Sequence, residues 1–218
     1  MGAGGNKQYL ELGGQPVLAH TLARLAALEM VDALHVIVPA AECRYCRDEV
    51  VARFAPHKVR GVVAGGAERQ DSVRNGLAAC GAADDDLVLI HDGVRPFFPA
   101  PQIAPLLAAA AADGAALLAI PAQDTIKEVS EARVVRTLDR SRLWQVQTPQ
   151  AFRFAVIRAA HERARAAGHA GTDDAALVEW CGGPVAVVPG CPFNLKLTTP
   201  ADLALARAML AAGVVEGC

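Results

Sequence analysis

The sequence predicts a single α/β domain over residues 1–218, and three of its features support this fold class. Hydrophobic residues make up 53% of the chain, which is enough to fill one large core. Short apolar segments alternate with longer segments whose apolar residues have helical spacing. After residue 121 this alternation gives way to two short segments in which polar and apolar residues take turns. We therefore expect a mostly parallel sheet with helices on both faces and a projecting β-hairpin arm.

The order of the apolar segments defines the predicted sheet. Strands are predicted at 33–38, 59–63, 87–90, 115–120, 185–188 and 195–197. Helices are predicted at 16–28, 40–54, 70–80, 101–112, 156–167, 172–180 and 199–212, with Thr172 and Thr199 as the N-caps of the last two. The polar segment 147–152 is interpreted as a turn. Strands and helices in this order are typical of a Rossmann-like arrangement.

The predicted arm covers about residues 122–142 and contains strands at 125–129 and 133–138. A two-stranded hairpin is too small to be stable alone, so the arm is expected to pack on something. A second copy of the chain is the simplest candidate, which predicts a homodimer. The alternative is an arm that folds back on its own domain.

Composition argues against several classes of partner. A formal net charge of −2 and an aromatic content of 5% provide neither the basic surface nor the stacking surface of a nucleic-acid-binding protein, and nothing attracts the chain to an anionic membrane. The apolar stretch 103–122 is interrupted by Pro105, Gly114 and Pro121, which favours a buried helix and strand over a membrane span. Cys43-x-x-Cys46 has the spacing of a metal or redox pair, but no second pair lies at zinc-site distance, which favours a structural role. No signal-peptide pattern is present, and the other four cysteines are expected to be reduced, so the predicted location is cytoplasmic.

The most informative segment is the strand at 87–90 with the residues that follow it, His91-Asp92-Gly93-Val94-Arg95. Ligands of open parallel sheets bind at the carboxyl ends of the strands, where Asp92 and Arg95 are expected to lie. A carboxylate suits a metal ion, and a guanidinium group suits a phosphate. The alternative is a surface Asp–Arg pair that closes a loop.

Other segments are weaker candidates when each is taken alone. The pair Gly65-Gly66 follows a predicted strand, but most such pairs are turns. Lys7, Arg140 and Lys196 are cationic residues of kinds that usually face solvent.

Taken in order, these segments resemble one enzyme family. The motifs are Lys7-Gln8-Tyr9-Leu10, Gly65-Gly66-x-x-Arg69-x-x-Ser72-Val73-x-x-Gly76-Leu77, His91-Asp92-Gly93-Val94-Arg95-Pro96, Asp124-Thr125-Ile126-Lys127, Asp139-Arg140, Thr148-Pro149-Gln150, Thr172-Asp173-Asp174 and Asn194-Leu195-Lys196-Leu197-Thr198. Together they resemble the 2-C-methyl-D-erythritol 4-phosphate cytidylyltransferase family of the non-mevalonate isoprenoid route. The resemblance covers nearly the whole chain and implies one nucleotidyltransferase domain.

The resemblance implies a reaction in which CTP and methylerythritol 4-phosphate give a CDP-alcohol and pyrophosphate, with Mg²⁺ on the triphosphate. It assigns Asp92 to the metal. The residues assigned to the nucleotide are Asp92, Gly66, Ala67, Ser72, Gly93 and Arg95. Lys7, Arg140 and Lys196 would be the catalytic cations. Arg140 and Lys196, with Thr125, would also bind the methylerythritol phosphate, and the arm would reach the site of the neighbouring subunit.

One departure from the family pattern concerns the start of the chain. Family members begin with a strand and a loop of the type Pro-Ala-Ala-Gly-x-Gly-x-Arg-Met-Gly, of which Met1-Gly2 is the matching part here. The expectation is that a chain starting at Met1 is weakly active or inactive. A ribitol 5-phosphate cytidylyltransferase and a non-catalytic nucleotide-binding or assembly protein are the alternatives. A dinucleotide-binding oxidoreductase is disfavoured, because no complete Gly-x-Gly-x-x-Gly motif follows a strand.

Overall fold

A computed structural model describes residues 7–55 and 57–214 of the chain. Within this part the strands, in chain order, are β1 (Glu11–Leu12), β2 (Gln15–Pro16), β3 (Leu34–Val38), β4 (Val59–Ala64), β5 (Leu87–Ile90), β6 (Ala115–Pro121), β7 (Lys127–Ser130), β8 (Arg133–Thr137), β9 (Trp144–Arg153) and β10 (Ala186–Pro189). The α-helices are α1 (Val17–Ala26), α2 (Cys43–Tyr45), α3 (Ala52–Phe54), α4 (Arg69–Ala79), α5 (Ile103–Asp113), α6 (Phe154–Ala167), α7 (Asp174–Trp180) and α8 (Pro200–Ala211).

The central sheet has the strand order β10-β6-β9-β5, and a separate parallel pair joins β3 to β4. Strand β10 is parallel to β6, whereas β9 is antiparallel to both β6 and β5. Strands β5, β6 and β10 therefore share one direction, and β9 opposes them. The predicted α/β class and its mostly parallel sheet are confirmed.

Strand β9 corrects the prediction of a turn at 147–152. Its polar residues Gln147, Thr148 and Gln150 are buried, and each makes side-chain hydrogen bonds inside the fold. The register between β6 and β9 shifts so that Leu117 faces Gln150 and the next residue faces Gln147. Thr148 and Pro149 therefore stand outside the ladder as a bulge, which accommodates a proline that has no N–H to donate.

Alternate residues of β6 pack into two different cores, which places helices on both faces of the sheet. Ala116 and Leu118 belong to the core that contains residues of α1 and α5. Ala115, Leu117 and Ala119 belong to the core that contains residues of α6 and α7. This period of two is the expected pattern for a strand that is buried on both sides.

Some local predictions need correction. The segment 40–54 is not one helix: a 3₁₀ turn and α2 lead into a π-helix at Cys46–Val51 before α3. Residues 195–197 form a loop rather than a strand. The N-cap of α7 is Asp173, which accepts a hydrogen bond from the N–H of Ala176, rather than Thr172. The predicted cap of α8 at Thr199 is confirmed.

The arm projects as predicted. Strands β7 and β8 pair antiparallel, and every residue of both strands is exposed. Val129 and Val134 lie opposite each other and are 57% and 61% exposed. The arm therefore does not fold back on its own domain, and its apolar side chains remain free for another surface.

The apolar stretch at 103–122 forms α5 followed by β6, as predicted. In the described ranges, no helix combines the length and the apolar character needed to cross a membrane. Cys43, Cys46, Cys80 and Cys181 have free thiols. Cys191 is disulfide-bonded, so the expectation of a reduced thiol is wrong for this residue.

Candidate active site

Asp92 lies two residues beyond the carboxyl end of β5, at the edge of the sheet where the sequence placed it. Its backbone N–H donates to the Thr148 hydroxyl at 3.0 Å, which ties the turn to the bulge in β9. The carbonyl of the next residue, Gly93, accepts a hydrogen bond of 2.9 Å from Thr21 of α1. The turn that carries Asp92 is thus held by strand β9 on one side and by α1 on the other.

Asp92 is paired with three cationic side chains among the described residues. Its Oδ2 atom lies 3.0 Å from the Lys196 Nζ and 3.2 Å from the Arg95 Nε, while its Oδ1 atom lies 3.6 Å from the Arg69 Nε. Burial of the carboxyl works to raise its pKa, but the Lys196 ammonium, with help from both guanidinium groups, outweighs burial and lowers the pKa of Asp92. The result is an ionised carboxylate inside a cationic site.

The loop that carries Lys196 is fixed by buried polar contacts. Arg95 donates from Nη1 to the Asn194 carbonyl at 2.8 Å. The Asn194 side chain is 1% exposed and donates to the Thr148 carbonyl at 2.9 Å. The N–H of Leu197 donates to the Val94 carbonyl at 2.9 Å. These bonds hold Lys196 beside Asp92 even though its segment is not a strand.

Arg69 is a site residue that sequence reasoning quoted in a motif but did not assign. Its Nη1 atom lies 2.7 Å from the Asp174 Oδ2, so its guanidinium group bridges Asp92 and Asp174. Burial works to lower the pKa of Arg69, but the Asp174 carboxylate, followed by Asp92, raises the pKa overall. Asp174 is 1% exposed and also accepts from the His161 Nε2 at 3.1 Å. The motif Gly-Gly-x-x-Arg is the sequence feature that could have identified Arg69 as a site residue.

In the loop between β4 and α4, two glycines allow the side chains of Asp71 and Ser72 to lie close to the backbone. The N–H of Gly66 donates to the Ser72 hydroxyl at 3.1 Å. A Cβ atom at Gly66 would lie 2.3 Å from the Cβ of Asp71, and one at Gly65 would lie 2.7 Å from the Ser72 Oγ. Only glycine fits at position 66, and a Cβ at position 65 would displace the Ser72 hydroxyl that accepts from Gly66. The exposed backbone of Gly66 and Ala67 remains open to a ligand.

Three predicted site residues are not in contact with the Asp92 cluster in the described structure. Lys7 is exposed in a short 3₁₀ helix at Lys7–Tyr9. Thr125 and Arg140 are exposed at the base of the arm, where the Arg140 guanidinium donates to the carbonyl of Gln123. The structure therefore brings together Asp92, Gly93, Arg95 and Lys196, and connects them to the Gly66–Ser72 loop through Arg69.

The donor set fits a magnesium ion that arrives with its phosphates. The described part of the chain contains no group of three or more histidine, cysteine, aspartate or glutamate residues able to form a cage around a metal. Mg²⁺ is commonly held by one or two carboxylates, with substrate phosphates and water filling the other positions. Asp92 supplies one such carboxylate, and the Arg95, Lys196 and Arg69 side chains surround it with the positive charge that phosphates require.

The neutral ring of His91 supports the Asp92 turn through two hydrogen bonds. A carbonyl oxygen can only accept, so the contact of 3.0 Å between His91 Nε2 and the Arg95 carbonyl places the ring proton on Nε2. Thr148 Oγ1 already accepts from the Asp92 N–H and lies 2.9 Å from His91 Nδ1, so its hydroxyl donates to that nitrogen. Burial is the main cause that lowers the pKa of His91 from 6.5 to about 4. Both ring nitrogens are therefore used to hold the Asp92 turn.

Comparison with known proteins identifies the family. The family model described as 2-C-methyl-D-erythritol 4-phosphate cytidylyltransferase matches residues 1–212. The enzyme of that name from Syntrophotalea carbinolica is 56% identical over 96% of this chain and 90% of its own length, and the one from Geotalea uraniireducens is 56% identical over 96% and 91%. The crystal structure of the Thermus thermophilus enzyme matches with a TM-score of 0.79 and 36% identity over 96% of each chain.

A second solved structure, a 4-diphosphocytidyl-2C-methyl-D-erythritol synthase from Anaerococcus prevotii, matches with a TM-score of 0.85 and 31% identity over 94% of this chain and 90% of that one. These matches cover the fold and the motifs together, and they confirm the resemblance inferred from the motifs. The chain belongs to the 2-C-methyl-D-erythritol 4-phosphate cytidylyltransferase family of nucleotidyltransferases.

Proposed function

We propose that the chain joins CTP and 2-C-methyl-D-erythritol 4-phosphate to give 4-diphosphocytidyl-2-C-methyl-D-erythritol and pyrophosphate, and that the Asp92 cluster is where the phosphates meet. The observation that supports this proposal is a single ionised carboxylate within 3.6 Å of three cationic side chains at the edge of the sheet. The names of the family model and of the relatives supply the substrates.

The proposed reaction is a direct displacement at phosphorus. A phosphate oxygen of methylerythritol phosphate attacks the α-phosphorus of CTP and forms a new P–O bond. The bond from the α-phosphorus to the bridging oxygen breaks, and pyrophosphate leaves with that electron pair. The protein must bring two polyanions together in line and offset their repulsion, so positioning and positive charge are its main contributions. No covalent intermediate on the protein is required.

Each cationic residue is assigned to a phosphate group of one of the two substrates. Lys196 and Arg95 pair with Asp92 and would turn toward phosphate oxygens when these enter. Asp92 would hold Mg²⁺, which would supply further positive charge to the triphosphate. Lys7 would stabilise charge near the α-phosphate. Arg140, with Thr125, would bind the methylerythritol phosphate.

Recognition of the cytosine is assigned to the loop between β4 and α4. A cytosine offers an amino donor and a carbonyl acceptor, which backbone groups and a hydroxyl can distinguish. Gly66, Ala67 and Ser72 provide such groups, and Gly93 lies at the turn beside Asp92. Asp71 fills the place that a Cβ of Gly66 would take, so the glycine allows the tight loop, and the exposed backbone of Gly66 and Ala67 is the surface that a planar base would meet.

We also propose that two copies form a homodimer through the arm, with Arg140 and Thr125 serving the site of the neighbouring subunit. The support is the full exposure of β7 and β8, including the opposed side chains of Val129 and Val134. An isolated hairpin of this size gains little stability on its own. A cytoplasmic location, the absence of nucleic-acid or membrane partners and the dependence on Mg²⁺ remain predictions.

The proposed function is tested by measuring pyrophosphate release from CTP and Mg²⁺ with methylerythritol phosphate and, in parallel, with ribitol 5-phosphate. Release with methylerythritol phosphate alone, lost when EDTA is added, is the expected result. Release with ribitol phosphate alone would instead favour the related cytidylyltransferase. Binding of CTP without release in either reaction would favour a non-catalytic role.

A further inference from the structure

Behind the Asp92 cluster lies a buried chain of polar contacts that runs from Arg69 through Asp174 to His161. Asp174 and His161 are each 1% exposed, and the Asp174 Oδ1 accepts from the His161 Nε2 at 3.1 Å. The other oxygen, Oδ2, lies 2.7 Å from the Arg69 Nη1. Asp174 is therefore hydrogen-bonded to His161 through one oxygen and ion-paired with Arg69 through the other, and only Arg69 reaches the nucleotide site.

Burial makes this carboxylate a strong anchor. An ionised carboxyl group that is nearly excluded from water is costly unless a cation and further hydrogen bonds accompany it. Arg69 supplies the cation, and its side chain is only 39% exposed although it begins α4 at the surface. The interaction therefore holds the guanidinium group beside Asp174.

That position connects two parts of the proposed site. Arg69 directly follows the Gly65–Glu68 loop, and its Nε atom lies 3.6 Å from the Asp92 Oδ1. A second tie lies beside it: Gln70 donates to the His169 carbonyl at 3.1 Å and accepts from the N–H of Gly171 at 3.1 Å. The start of α4 is thus fastened to the first residue of α7 through Arg69 and to the segment between α6 and α7 through Gln70.

We propose that Asp174 is a positioning residue that fixes Arg69 between the base-recognition loop and the Asp92 carboxylate. The guanidinium group is closer to Asp174, at 2.7 Å, than to Asp92, at 3.6 Å. Arg69 is therefore held in place as a cation for the nucleotide phosphates without forming a tight pair that would withdraw Asp92 from its ligands. This inference rests on the proposed function, because it requires a nucleotide in the site.

The test is a double-mutant cycle that comprises the wild type, Asp174→Asn, Arg69→Ala and the double variant. Affinity for CTP in the presence of Mg²⁺ is measured by calorimetry, and KM for CTP and kcat are measured by pyrophosphate release. Asn keeps the acceptor for His161 but loses the charge that holds Arg69. We expect Asp174→Asn to weaken CTP binding by about 10-fold to 100-fold, and to add less than about twofold once Arg69 is already alanine.

Asp173→Asn is the matched control, since it removes the adjacent charge. Asp173 caps α7 and accepts from Gln150 but forms no ion pair with Arg69 among the described contacts. Asn is itself a good N-cap, so this variant should bind CTP nearly as well as the wild type. A weakening of CTP binding equal to that of Asp174→Asn would show that loss of charge near α7, rather than the restraint of Arg69, is responsible, and would overturn the proposal.

Arg69→Lys is the second variant, and it tests the positioning of Arg69 even if Asp174→Asn does not fold. A lysine keeps the charge but cannot bridge two carboxylates as a guanidinium group does, so CTP affinity should fall nearly as far as in Arg69→Ala. Retention of wild-type affinity by Arg69→Lys, or equal losses from Asp174→Asn in both backgrounds, overturns the positioning role. A wild type that binds CTP but releases no pyrophosphate contradicts the proposed reaction alone, and the calorimetric cycle then decides the positioning role. A wild type that does not bind CTP contradicts both.

Discussion

At the scale of single residues, the charge on Asp92 is the central property of the site. Its carboxylate is only 12% exposed, yet the cations around it lower its pKa and keep it ionised. The Lys196 ammonium is also held in place by this carboxylate, at 3.0 Å. Neutralising Asp92 would therefore remove the proposed metal ligand and release a cation at the same time.

We predict that Asp92→Asn lowers kcat/KM for CTP by on the order of 100-fold. The amide keeps the shape of the side chain but removes the charge that Mg²⁺ and Lys196 require. Asp85→Asn is the control, because Asp85 lies at the opposite end of β5 and its side chain is 95% exposed. Steady-state pyrophosphate release measures both variants. Similar rates in both would show that the Asp92 charge is not used in the reaction.

His91 makes the stability of the fold depend on pH. Its pKa is lowered from 6.5 to about 4, so the unfolded chain binds a proton between these values while the folded chain does not. Stability from this residue is fully present above pH 6.5 and is lost as the pH falls toward 4. The loss amounts to at most about 3.4 kcal/mol, from 1.36 kcal/mol for each pKa unit.

Urea unfolding of the wild type and of His91→Gln between pH 7.5 and pH 5 measures this contribution. Glutamine does not titrate, so we expect the free energy of unfolding of the variant to decline less steeply with falling pH. The difference between the two slopes isolates His91 from the other histidines. Parallel slopes would mean that the folded protein accepts a proton on His91 as readily as the unfolded chain does.

The site residues that could be predicted are those that one short segment carries. Asp92 and Arg95 follow the same strand, so the strand's direction alone places both at the ligand-binding edge. Arg69 and Asp174 lie far apart in sequence, and the contact between them depends on how α4 packs beside α7. No local pattern encodes that packing, and for this reason only the family motif drew attention to Arg69.

At the scale of secondary-structure elements, the cap of α8 determines where the Lys196 loop ends. Thr199 accepts from the Asp202 N–H at 3.1 Å, and Asp202 accepts from the Thr199 N–H at 2.7 Å. Asp202 also accepts from the Thr198 N–H at 2.8 Å, which is the main cause that lowers its pKa to about 2. The helix start and the end of the loop are thus joined by reciprocal hydrogen bonds.

We predict that Thr199→Ala lowers the free energy of unfolding by about 1 kcal/mol, because the N–H of Asp202 loses its acceptor. Thr199→Ser keeps the hydroxyl and should remain within a few tenths of a kcal/mol of the wild type. Urea unfolding at neutral pH compares the two variants. An equal loss in both would attribute the effect to the threonine methyl group rather than to the cap.

Elements with strong periodicity or capping signals could be predicted, whereas those defined by tertiary contacts could not. The cap at Thr199 has a local signature, and α8 begins where it predicts. Strand β9 has the sequence of a turn, because Gln147, Thr148 and Gln150 are polar and Pro149 interrupts them. These polar groups are buried because they have hydrogen-bond partners on the Asp92 turn, α7 and the 191–194 loop. The sequence of the strand alone does not reveal partners that lie so far away in the chain. The Lys196 segment shows the converse error: its alternating leucines give the sequence pattern of a strand, but they pack into a core from a loop.

At the scale of the whole molecule, the proposed dimer divides each site between two chains. Lys196 contacts Asp92 within one chain, whereas Arg140 lies at the base of an arm that projects away from the domain. If the arm serves the neighbour, Lys196→Ala and Arg140→Ala damage different halves of the same site. Each variant alone should be inactive or nearly so, because every site then lacks one cation.

Mixing the two variants tests this arrangement. In a mixed dimer, one site carries both alanines, while the other combines an intact Lys196 with the partner's Arg140. When half of the dimers are mixed, activity should recover to about a quarter of the wild-type value. If Arg140 served its own chain, no mixed dimer would contain a complete site and mixing would restore nothing. Val134→Asp in both variants should abolish the recovery by charging the arm and should shift sedimentation to the monomer, whereas Leu205→Asp on α8, also at an exposed apolar position, should affect neither.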